Sequence, residues 1–68
     1  MAVDKIDNRF GSIAIRKGYI TMEQLIEALT QQVEENISKN QHRLIGSILR
    51  ERGYLTLQQI DEILSDMI

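Results

Sequence analysis

Few side chains in this chain could do chemistry on a substrate. His42 is the only histidine, and there is no cysteine. An imidazole acts as a general base only beside a proton to take, and as a metal ligand only beside further donors. Here no second His or Cys exists, and the nearest carboxylates in sequence before His42, Glu34 and Glu35, lie across a polar connector. The other acidic residues occupy polar helix faces, where they serve solubility. No Gly-x-x-x-x-Gly-Lys-[Ser/Thr] stretch is present to cradle a phosphate. These residues predict no catalytic site, no metal site and no cofactor, so the chain reads as a non-enzyme.

The basic residues are no better arranged for nucleic acid. Eight Lys and Arg against ten Asp and Glu leave a net charge of −2, whereas a phosphate-backbone binder carries a basic face. In a helix–turn–helix the helix after the turn reads the bases. Here those segments are Met22 to Gln32, with Glu23 and Glu27, and Leu57 to Asp66, with Asp61, Glu62 and Asp66. Neither contains a basic residue. Arg43 beside His42 makes only a small basic corner. No nucleic-acid partner is expected.

The elements that position these residues come from a duplication. Gly11 to Leu29 recurs as Gly46 to Leu64 at an offset of 35 residues, without a gap and with nine of 19 positions identical. Shared positions include both glycines, the Tyr and the Thr, which punctuate helices. Gly18 and Gly53 predict left-handed helix ends, with Tyr19 and Tyr54 folding back towards Ala14 and Leu49. Thr21 with Gln24, and Thr56 with Gln59, predict capping boxes, and Ile20 and Leu55 are placed to staple the entries. The fold expected is all-α: two tandem helix–turn–helix repeats in a compact four-helix domain spanning 1–68.

Within it, repeat one covers about 9–37, a linker about 38–40, and repeat two about 41–67. Met1 to Asp7 is expected to fray, with Asp7 or Asn8 capping a first helix from about Arg9 to Lys17. Phe10, Ile13 and Ala14 should face inward from it. Met22, Leu25, Ile26, Leu29 and Val33 form one apolar stripe on the second helix. Asn40 is read as the cap of a third helix that buries Leu44, Ile45, Ile48 and Leu49. The fourth helix should bury Leu57, Ile60, Ile63, Leu64 and Met67. Ile15 is matched by Arg50 in the second copy, a change of polarity that points to an interface or a wider buried face. A chain of 68 residues has little stability to spare, which favours a dimer or a bound partner. No secretory leader and no apolar run long enough to span a bilayer is seen, so a cytoplasmic location is expected.

Arg9-Phe10-Gly11, Gly18-Tyr19-Ile20, Gln24-Leu25, Ala28-Leu29 and Gln32 together resemble a known pattern. It is that of the N-terminal domain of type II secretion and type IV pilus assembly ATPases, the MshEN family. The resemblance runs from Arg9 to Leu64. It implies a non-catalytic helical module, here without its ATPase, that docks a protein partner or binds cyclic di-GMP. For a ligand it implies Arg9, Phe10, Gly11 and Gln32 in the first copy, with Arg43 and Gly46 in the second. An Arg fork suits phosphate or a guanine edge, Gly allows close backbone approach, and Gln offers both donor and acceptor. The second copy departs from the pattern: Leu44 stands two before Gly46, Arg43 is displaced by one, and Met67 replaces the second Gln. The expected function is therefore docking, onto a protein partner or a second copy, with cyclic di-GMP binding as the alternative.

Overall fold

The computed structural model describes residues 5–68; of the fraying expected for Met1 to Asp7, residues 1–4 lie outside them, and 5–7 are helical instead. Four helices follow in order: α1 Lys5–Arg16, α2 Met22–Lys39, α3 Ile45–Glu51 and α4 Leu57–Asp66. No strand occurs among the described residues, and none of their helices is long and apolar enough to cross a membrane. The all-α four-helix architecture is that expected from the repeat.

The helix ends carry the signals written in the sequence. The amide of Tyr19 donates to Ala14 O and that of Gly18 to Ile15 O; Tyr54 to Leu49 O and Gly53 to Arg50 O repeat the pair. This is the Schellman pattern, with the glycines at φ +79° and +82°. Thr21 and Thr56 each accept from the backbone of a Gln three residues on, and that Gln's side chain accepts from the cap's own N–H. Gly53→Ala places an L side chain at positive φ, although its Cβ would meet nothing within 4 Å. The loss is thus conformational, about 1 kcal/mol. Urea unfolding should show a lower midpoint at unchanged slope; an unshifted midpoint would mean that the turn relaxes out of the left-handed region.

Several boundaries differ from expectation. α1 begins at Lys5, so Asp7 and Asn8 lie inside the helix rather than capping it. α2 runs through Lys39 and ends on Asn40 at φ 52°, ψ 36°, a left-handed residue whose N–H reaches Glu35 O. Asn tolerates that region, so it closes α2 instead of opening α3. The connector is consequently 40–44 rather than 38–40. α3 starts at Ile45 after Leu44, which supplies no side-chain cap.

The core comprises Phe10 and Ala14 of α1, Ala28 of α2, Ile45, Ile48 and Leu49 of α3, Ile63 of α4, and the turn residues Ile20 and Leu55. α3 is the centre of it: α1 and α2 both pack on it, and α4 packs on α1. The inward faces of α2 and α4 are narrower than their apolar sequence. Met22 and Ile26 are 58% and 54% exposed, and α2 buries only Ala28, with Leu25 and Leu29 packed partly against the core. Leu44, Leu57 and Leu64, expected inside, are exposed, and Ile63 is the one buried residue of α4. A core of this size has room for one row per helix, and the second row is left on the surface.

The repeat is visible in space as an exchange of side chains. Tyr19 donates to Glu62 and Tyr54 donates to Glu27, both at 2.5 Å. Each pair is the other moved along by the 35-residue offset. Lys17 likewise meets Glu62 at 3.0 Å and Asp66 at 2.7 Å, while Arg52 meets Glu27 at 3.6 Å and Gln31 at 2.6 Å. The Glu hydrogen bond raises each tyrosine's pKa, and the Tyr19 hydroxyl, then Lys17, lowers that of Glu62. Such exposed pairs are individually weak, because water and salt screen them. Their reciprocity fixes the register of one repeat on the other.

Candidate functional site

A carboxylate sits where an apolar residue would be expected. Asp7, 5% exposed, follows the spacing of Phe10 and Ala14 on the inward face of α1. Its Oδ1 accepts from the Ile45 amide at 3.2 Å and its Oδ2 from Gln32 Nε2 at 2.6 Å. Leu44 cannot cap α3, so Asp7 caps it from another helix, satisfying one of the free N–H groups of its first turn. Gln32 Nε2 also donates to Arg43 O at 2.9 Å. One side chain of α2 thereby ties α1 to the connector that leads into α3.

The side chain of Arg43 holds the connector at the same point. Its Nε and Nη2 donate to Glu35 at 2.9 and 2.6 Å, and its Nη1 and Nη2 to Glu51 at 3.0 and 3.2 Å. Two carboxylates thus share one guanidinium fork, a geometry that only Arg supplies. The Arg43 hydrogen bond, helped by Gln31, holds Glu35 down at about 2, and Arg43 also lowers Glu51. Those same bonds push the guanidinium further above its usual value.

The six residues singled out as a ligand set therefore have separate surroundings. Gln32 and Arg43 are joined, but in these internal bonds. Phe10 and Gly46 meet: a Cβ on Gly46 would come within 3.0 Å of the Phe10 ring, so its absence lets the ring seat on α3. Gly11 is buried beneath Leu25, whose methyls would lie 2.9 Å from an added Cβ. Arg9 remains exposed, in a separate polar cleft of about 520 Å³ with Asn8, Ser12, Ile13, Arg16, Lys17 and Asp66.

Above Phe10 and Gly46 lies a second depression, an apolar groove of about 500 Å³. Ile6, Asp7 and Phe10 of α1 line it, together with Leu57, Ile60 and Leu64 of α4. Leu44, Gly46, Ser47, Arg50 and Glu51 complete it from the connector and α3. Ile6, Leu44, Leu57 and Leu64 are 57%, 60%, 53% and 45% exposed, so four large aliphatic side chains converge on one open site. Sequence reasoning placed three of them inside and passed over Ile6. The available signal was the excess of apolar positions on α4 over what one buried row can hold. For Asp7 it was a charge in phase with Phe10 and Ala14.

No grouping of three or more His, Cys, Asp or Glu among the described residues could hold a metal ion. The groove offers apolar side chains for burial, and the Arg9 cleft offers polar and charged side chains. No protein-family model, curated protein or solved structure matches this chain.

Proposed function

We propose that this domain is a non-catalytic docking module, similar in role to the N-terminal domain of secretion and pilus ATPases, and that it takes a protein partner in the cytoplasm. One observation carries the reading: the convergence of Ile6, Leu44, Leu57 and Leu64 on a single groove that Phe10 and Gly46 also line. Isolated exposed aliphatics are ordinary on a soluble surface, whereas a contiguous apolar site with a polar rim marks an interaction surface. Burying these side chains against a partner would release apolar area at about 25 cal/mol per Å². A second reading, a receptor for cyclic di-GMP, draws on Arg9, which stays exposed beside Arg16 in the polar cleft.

Two measurements separate them. A photo-crosslinking residue at Ser47, inside the groove, should give a discrete protein adduct in the producing cells. The adduct should vanish in Leu57→Asp/Leu64→Asp, and the same group at Thr30, on exposed α2, should not form it. An identical adduct pattern from both positions, or one that survives the double variant, counts against docking at the groove. In parallel, the labelled domain is titrated with cyclic di-GMP by amide NMR. Saturable shifts from Arg9 to Gly11 and around Gln32 would transfer the assignment to the nucleotide receptor.

A further inference from the structure

Resting on the docking reading, we infer that the groove's occupant is a second copy of this chain, seated on it about a two-fold axis. Arg50 of each copy then meets Glu51 of the other. The charges of the lining argue for a like partner. Arg50 is exposed, and its guanidinium has no hydrogen bond or ion pair among the described residues. Glu51, the next residue, keeps 61% of its side chain exposed while bonded to Arg43, and Arg43 is shared with Glu35. An uncompensated cation thus stands beside a carboxylate in surplus. Asp7, the third charge of the lining, is 5% exposed and engaged by Gln32 and the Ile45 amide. A partner of one sign attracts either Arg50 or Glu51 and repels its neighbour. A two-fold axis satisfies both, because residue i of one copy meets j of the other and j meets i.

The apolar area agrees with such a contact. A specific interface begins at about 1,000 Å² in total, shared between the two partners. Half of that is roughly a tenth of the 4729 Å² that this chain exposes, an area that the four half-exposed aliphatics largely supply. Burial against a second copy adds the apolar contact that a core of this size cannot provide alone. The face also occurs once. At the 35-residue offset the first repeat has Arg9 for Leu44, Arg16 for Glu51, and Ile15, packed against the core, for Arg50. It therefore offers no second face of this kind, and pairing stops at two chains instead of running on into a filament.

The test is sedimentation equilibrium of the whole chain over a dilution series, with amide shifts read in parallel. A dimer should form at high concentration and dissociate on dilution, with shifts at Leu44, Arg50, Leu57 and Leu64. Arg50→Glu and Glu51→Arg should each weaken it about tenfold, since each sets like charges together. An equimolar mixture of the two variants should recover to within about threefold of the parent, because every pair between them is again unlike. Circular dichroism checks each fold, and Leu44→Asp, at an exposed position, breaks the same face if Glu51→Arg does not fold. A chain that stays monomeric up to about 1 mM would overturn the proposal. So would a dimer indifferent to Arg50→Glu and Leu44→Asp, or a mixture as weak as its components. The Ser47 crosslink judges docking separately. An adduct of two chains' mass supports the second copy. With a monomeric chain, an adduct to a different protein leaves docking standing, and no adduct sinks both.

Discussion

Asp7→Ala is expected to lower the unfolding free energy by about 3 kcal/mol, and the melting temperature by roughly 15 °C for a domain of this size. The carboxylate is 5% exposed and serves two donors in different elements, Gln32 Nε2 and the Ile45 amide. Ile45 is fully buried, so its N–H finds no ready replacement in water. Removing an acceptor and leaving a buried donor unmet costs the donor's desolvation, which exceeds the net worth of an ordinary hydrogen bond. Asp7→Asn retains one acceptor oxygen and should lose about half as much. The effects of Asp7→Ala and Gln32→Ala should combine to less than their sum, because both break one network. Thermal unfolding by circular dichroism reads the parent and the four variants. A melting point for Asp7→Ala within a degree or two of the parent would show that the carboxylate does not hold α1, α2 and α3 together.

Ile63→Ala should cost about 3 kcal/mol, close to the whole stability that a single core of this size supplies. Ile63 is fully buried and is the only buried residue of α4. Truncating it removes three carbons from the core and leaves a cavity that the neighbouring helices close only in part. The surface bonds of α4, from Tyr19 and Lys17 to Glu62 and Asp66, cannot compensate, since pairs of that exposure are screened by solvent. Leu64→Ala, one residue on, is the control. Leu64 is 45% exposed on the groove, and its loss should stay within about 0.5 kcal/mol. Urea midpoints for the two variants give the answer. If the two substitutions prove equally costly, α4 is rotated about its axis from the orientation described, and the groove wall of Leu57, Ile60 and Leu64 goes with it.

The contrast between Ile63 and Leu64 shows where sequence reading stops. Both belong to the apolar positions of one amphipathic helix, and periodicity cannot rank them. The choice is made by how α4 leans on α1, a long-range packing outcome. α2 shows the same effect, with Met22 and Ile26 outside and Ala28 inside. Asp7 shows it in polar form. An acidic residue near a helix start reads as a local cap, yet its partners are 25 and 38 residues away. Nothing local distinguishes a cap for its own helix from a cap for another.

By itself the sequence determined the helix count, the two Schellman turns at Gly18 and Gly53, the two capping boxes and the internal repeat. Each rests on interactions within a few residues of the chain: a backbone angle only glycine adopts easily, or a hydroxyl and an amide three positions apart. Tertiary structure alone decided which apolar row of each helix is buried. It also drew Gln32 and Arg43 into internal bonds, and gathered Ile6, Leu44, Leu57 and Leu64 around one groove. Those outcomes depend on residues far apart in the chain competing for a core too small to take every apolar side chain. That competition is settled only when the helices pack.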